Sequence, residues 1–153
     1  MSGPAGEPEL PRTWRPRRTR TVCYGISVVV VVVFTGVGVA LPSSGGFVFT
    51  LGDRLALIAC AAPICWFLHR HASVRVVATD AGLEVVNLFR RRSLLWGEVL
   101  AVRLHRGDPW AYIDLSDGET MACMGIQASD GPAAPAAARE LAALVASRPG
   151  LAS

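Results

Sequence analysis

The chain has 153 residues, 52% of them hydrophobic, and its mean hydropathy of +0.40 is high for a purely soluble protein of this size. All 15 basic residues are arginine, and the net charge of +3 is concentrated at the N-terminus: residues 1–21 hold five arginines against Glu7 and Glu9, whereas residues 74–153 hold eight arginines against nine acidic residues. That distribution excludes a nucleic-acid footprint, which would need basic residues clustered on the folded part, and the four cysteines show neither disulfide nor metal-ligand spacing.

Residues 1–21, rich in Pro, Gly and Arg, read as a basic disordered cytoplasmic tail. Arg12, Arg15, Arg17, Arg18 and Arg20 lie just ahead of an uncharged stretch, Val22–Leu41, that contains six consecutive valines, Val28–Val33. Twenty apolar residues are what a helix needs to cross a bilayer, and the arginines hold the N-terminus inside. Trp14 and Tyr24 suit the interfacial aromatic belt. The rival reading is a signal peptide cleaved near Gly38 and Ala40, but the apolar run exceeds the usual length of a signal core.

Residues 42–54 form a short outer loop with a turn at Pro42–Gly46. The second transmembrane helix is 55–68, or 47–68 if Phe47–Leu51 joins it, because Asp53 and Arg54 interrupt the apolar run. The uninterrupted part covers only about 21 Å. Either Arg54 snorkels outward while Asp53 pairs with it, or Phe47–Leu51 is an interfacial lead-in. Arg70, followed by Arg75 and Arg90–Arg92, places the end of this helix in the cytoplasm, so both termini face inward around a two-helix hairpin.

Residues 73–148 read as a separate β-rich domain. Strands are expected at Val74–Thr79, Leu83–Asn87, Ser93–Trp96, Leu100–His105, Trp110–Leu115 and Thr120–Met124, with a seventh at Gly125–Gln127. Asp80-Ala81-Gly82 and Ser116–Glu119 are tight turns. An amphipathic helix over Ala134–Ser147 closes the chain, with Leu141, Leu144 and Val145 at helical spacing. The fold class is thus a two-helix transmembrane hairpin followed by an α+β PH-like domain: a curled antiparallel sheet of about seven strands plus a C-terminal helix.

Five blocks recur in order: Asp80-Ala-Gly-Leu-Glu-Val-Val-Asn-Leu-Phe-Arg-Arg-Arg92, Trp96-Gly-Glu98, Arg106-Gly-Asp-Pro-Trp-Ala111, Leu115-Ser-Asp-Gly118 and Gly125-Ile-Gln-Ala-Ser-Asp-Gly131. They resemble the actinobacterial PH-domain family named after low molecular weight protein antigen 6, over about 73–145. The resemblance implies the fold and, in architecture, the preceding helix pair; it implies no molecular role. Phosphoinositide-binding PH domains carry basic residues around the first strand–strand loop. That loop is read here as Asp80-Ala81-Gly82, acidic and short, so no inositol-phosphate pocket is expected.

Arg90, Arg91 and Arg92 are the candidate contact cluster. They either meet anionic lipid or an acidic partner, worth about 1 kcal/mol per arginine near a charged bilayer, or they form a solvated hairpin turn paired with Glu84 or Glu98; the second reading is preferred. His69 and His71 lie on different helix faces without a third ligand, so they read as polar anchors and no metal or cofactor is expected. Trp96 and Trp110 read as core anchors. Ser116, His105 and Asp114 lack the setting of a catalytic triad, and no enzyme activity is expected. The reading is a non-enzymatic, multi-pass protein of the bacterial inner membrane, with both termini cytoplasmic, whose domain serves an as yet unknown protein partner as an interaction or scaffolding module. The alternatives are an anionic-lipid-sensing surface domain and an exported domain, the latter accessible to an impermeant thiol reagent at Cys123 if that thiol is exposed.

Overall fold

A computed structural model describes residues 9–42 and 48–148. The chain divides into two compact units: residues 1–19 together with 73–153, and residues 20–72. The elements in chain order are β1 (Arg12–Trp14), α1 (Arg17–Ala40), α2 (Leu51–Ala72), β2 (Arg75–Ala78), β3 (Leu83–Val86), β4 (Arg91–Leu94), β5 (Val99–Arg103), β6 (Trp110–Leu115), β7 (Thr120–Gln127) and α3 (Ala133–Ser147).

The first unit holds a four-stranded antiparallel sheet, order β1-β2-β3-β4, and a three-stranded one, order β5-β6-β7. Alternation makes the strands. Val76 and Ala78 on β2, Leu83 and Val85 on β3, and Ala111, Ile113 and Leu115 on β6 all point into one core. Packing α3 against β5 and β7 buries Ala134, Ala138, Leu141, Leu144 and Val145 on one helical face. Each large side chain so buried contributes about 1.5–3 kcal/mol.

The sheets meet where β7 crosses β2. A Cβ on Gly125 would lie 2.6 Å from the Val76 nitrogen and 2.7 Å from the Arg75 carbonyl carbon, so only glycine admits this approach. At the β2–β3 turn, a Cβ on Gly82 would lie 2.1 Å from the Leu94 carbonyl oxygen.

Several expectations need correction. The basic segment is not disordered over its described part: Arg12–Trp14 forms β1, which pairs with β2 in the register Arg12↔Ala78, Thr13↔Val77 and Trp14↔Val76; residues 1–8 lie outside the described residues. Trp14 is not an interfacial aromatic. It is 6% exposed and belongs to the core. Residues 120–127 form one strand instead of two, so the seven strands are reached only by counting β1. The strand expected at Ser93–Trp96 runs from Arg91 to Leu94, and Trp96 sits in a 3-10 turn.

In the second unit, α1 and α2 are both long and apolar enough to cross a membrane. Their valines and leucines are largely bare, Val39 reaching 75% exposure. With 22 residues, α2 is about 33 Å long at 1.5 Å per residue, well beyond the 55–68 stretch. Asp53 does not pair with Arg54. Its carboxylate accepts the Thr50 backbone N–H at 2.8 Å and the Thr50 hydroxyl at 2.7 Å, while the Thr50 oxygen accepts the Asp53 N–H at 3.3 Å, a capping box that starts α2. Arg54 donates to the carbonyls of Gly38 and of Leu41, occupying orphan acceptors at the end of α1. Of the expected outer-loop turn, residues 43–47 fall outside the described residues.

Candidate functional site

Strand register fixes which features share an end of the first sheet. β1 ends at Trp14 beside Val76, and β2 begins at Arg75 beside Val86, which in turn faces Arg91. The chain therefore leaves the sheet toward α1 and returns from α2 at one end, and the β3–β4 turn, residues 87–90, lies at that same end. The turn is closed by the Asn87 N–H on the Arg90 carbonyl at 2.8 Å. Asn87 also fixes it to β7, its amide donating to the Ala122 carbonyl at 2.6 Å and accepting the Met124 N–H at 3.0 Å.

The three arginines of the candidate cluster have different surroundings. Arg91 pairs with Glu84 at 3.0 Å. Arg92 pairs with Glu119 at 2.9 Å and Asp117 at 3.2 Å, both in the β6–β7 turn. Glu98 is not a partner; its carboxylate accepts the Leu95 N–H at 2.7 Å. The Glu119 backbone N–H, aided by Arg92, holds the Asp117 carboxyl below the usual carboxylate range. Among the described residues Arg90 enters no ion pair, and beside it Phe89 is 69% exposed.

The N-terminal arginines do more than flank a helix. Arg12 pairs with Glu140 on α3 at 2.9 Å. The backbone N–H groups of Arg17 and Arg18 both donate to the Asp130 carboxylate, at 3.0 and 2.9 Å, and the Thr19 hydroxyl donates to Gln127 at 2.5 Å. Arg15 and Arg18 keep exposed side chains, and among the described residues neither forms an ion pair. These contacts lie within the first unit. Arg20 and Arg70 belong to the second, in the first two turns of α1 and the last turn of α2. Sequence reasoning missed Asp130, Gln127 and Glu140 because their partners are over 100 residues away.

At the opposite end of the first sheet, Leu95 and Leu100 are 66% and 64% exposed. The β5–β6 register slips between Val99 and Ala101, and the irregularity leaves Leu100 outward. A groove of about 530 Å³ opens beside it, between β5 and the Ala142, Val145 and Ala146 face of α3. Trp96 closes this end from within, donating to the Thr79 carbonyl at 3.0 Å under the Arg148 guanidinium.

The remaining candidates are held by local partners. Asp114 takes Arg103 at 2.6 Å and Thr120 at 2.9 Å, and Arg103 keeps its carboxyl below the usual range. His105 faces Asp108, and the Ser116 N–H bonds Glu98. The Tyr24 hydroxyl meets His69 at 3.3 Å, and His71 stacks edge-on to Phe67. Trp110 is only half-buried. Cys123 is fully buried, and burial pushes its thiol up to about 12, so it cannot serve as a surface label.

Residues 73–143 match the family model described as bacterial PH domain. Two mycobacterial proteins are similar well beyond that segment: uncharacterized protein Rv1417 of Mycobacterium tuberculosis and uncharacterized protein Mb1452 of Mycobacterium bovis, each 34% identical over 141 residues, 89% of this chain and 92% of theirs. The chain belongs to the bacterial PH domain family. No solved structure matches it. In this PH domain the first strand is Arg12–Trp14, so Asp80-Ala81-Gly82 joins the second strand to the third and is not the first strand–strand connection. That first connection is the helix pair itself, with Arg15, Arg17 and Arg18 where it begins.

Proposed function

We propose that this protein is a non-enzymatic interaction module in which a PH domain is anchored at the cytoplasmic face of the membrane by a two-helix hairpin inserted between its first two strands. The observation that carries the anchoring is the β1–β2 pairing. Strands paired in one sheet lie on one side of a membrane, so the segment joining them crosses twice or not at all. This supports a full crossing by α2 if α1 crosses, and it weighs against export of the domain alone. Cleavage after Ala40 would likewise strip the domain of its first strand. Five arginines ahead of the first apolar run favour the cytoplasm for that side.

The interaction role draws on the far end of the sheet. There Leu95 and Leu100 are exposed beside the groove along β5, and the exposed Asp80 of the β2–β3 turn is paired with Arg148. A short edge strand next to an apolar groove suits an extended protein segment.

Two experiments test the two halves. A cysteine at Ser116, exposed in a hairpin turn, should react with an impermeant maleimide only after the cells are opened; labelling in intact cells would sink the topology. A photoreactive residue at Leu100 should give a discrete protein adduct in native membranes, lost on Leu95→Asp. Adducts no different from those formed at Ser116 would remove the interaction surface.

A further inference from the structure

We infer that the Phe89–Arg90 tip of the β3–β4 hairpin is a membrane-contacting element, which docks on an anionic phospholipid surface and holds the PH domain in one pose. The inference rests on the anchoring reading and adds a second point of attachment. Three observations carry it. First, Phe89 is 69% exposed at the end of a turn that is fixed, not loose, since Asn87 ties it to β7 through two hydrogen bonds. A rigid aromatic ring held exposed at a fixed turn offers apolar area that a covering surface would bury.

Second, the adjacent Arg90 is exposed and enters no ion pair among the described residues, unlike Arg91 and Arg92, which are held by Glu84, Asp117 and Glu119. An aromatic ring beside a cation fits the phospholipid interface, the ring lying at headgroup depth and the guanidinium meeting phosphate. Third, the register sets this tip at the end of the sheet from which the chain departs to α1 and returns from α2. Arg15, also exposed and without an ion pair among the described residues, follows β1 at the same end. The occupant is therefore a lipid surface and not a protein, because the bilayer is what the anchoring helices bring to that end. Weak contact suffices, since the tether makes docking intramolecular.

The test uses the full chain in vesicles of phosphatidylcholine with or without phosphatidylglycerol, carrying a photoreactive phenylalanine analogue at position 89, 100 or 31. Lipid adducts are expected at 31 in both vesicles, at 89 chiefly with phosphatidylglycerol, and not at 100. Arg90→Gln should lower the adduct at 89 about fivefold at a limiting fraction of anionic lipid. Adducts at 31 but none at 89, or equal yields at 89 in both vesicles, overturn the docking and leave the anchor standing. Absence at both 31 and 89 overturns the anchor and the docking with it.

Discussion

Trp14 donates its indole N–H to the Glu140 carboxylate at 3.0 Å, joining a strand at the N-terminus to the closing helix of the same domain. The domain is thus discontinuous in sequence. Its first strand precedes the helix pair, and the rest follows it.

Trp14→Ala should cost about 3–5 kcal/mol, the range for an aromatic side chain removed from a core. The tryptophan is 6% exposed and packs with the residues that line β2 and α3. Hydrogen exchange of the full chain in detergent reads this directly, as lost protection at the amides of Val76 and Ala78, which lie opposite Trp14 and Arg12 in the register. Unchanged protection would mean that β1 is an accessory to the fold. Glu140→Gln, which still accepts from the indole, should cost far less.

Gly125→Ala should pry the two sheets apart. Its Cβ would sit 2.6 and 2.7 Å from backbone atoms of β2, which cannot turn aside as a side-chain tip can. Overpacking of this kind costs about 1–3 kcal/mol and often more. Gly36→Ala is the matched control, since no atom lies within 4 Å of its Cβ. A thermal shift for Gly125→Ala no larger than the control's would show that the sheets separate freely at this crossing.

Most of the domain was legible from periodicity. The alternation at 75–78, 83–86 and 110–115 and the helical spacing of Leu141, Leu144 and Val145 announced their elements because local burial produces them. β1 was not legible, and for a physical reason. Three residues in an Arg- and Pro-rich segment show no period, and their strand exists only because β2 offers an edge and Glu140 offers a carboxylate. Missing it shifted the numbering of every later strand by one, the total of seven being reached by reading 120–127 as two strands, and misplaced the first strand–strand connection. The arginine triplet read as a hairpin turn, but only Arg90 lies in the turn, while Arg91 and Arg92 open β4, and composition could not separate the three. That distinction comes from Asp117 and Glu119, a turn away in a different hairpin.

The link from Arg92 to the β6–β7 turn should fail only in strong acid. Asp117 is held below the usual carboxylate range by the Glu119 N–H and by Arg92, so its folded value lies under its unfolded one. A group shifted that way stabilises fully above the ordinary aspartate value, about pH 4, and its contribution is lost as pH falls through the lowered value. Asp114, held by Arg103, behaves in the same sense. Protection of the Glu119 amide, which bonds Asp117 at 2.9 Å, should therefore be flat from neutral pH to about pH 5 and decline below about pH 4. A decline near pH 6 would contradict the geometry.

The start of α1 is the place where the domain acts on the helix most directly. Pro16 precedes the helix and has no side-chain acceptor, and the first turn holds no acidic residue of its own. The orphan N–H groups of Arg17 and Arg18 are met instead by Asp130, which follows β7 and arrives as both acceptor and negative charge at the positive end of the helix. Asp130→Ala should cost about 1 kcal/mol, and amide exchange at Arg17 and Arg18 should quicken about fivefold. Asp130→Asn should recover most of the loss, because an asparagine oxygen caps as well as a carboxylate. If Asn behaves like Ala, the charge matters more than the hydrogen bonds, and added salt should then abolish the difference between wild type and Asp130→Asn. If neither substitution changes exchange, Asp130 does not cap α1.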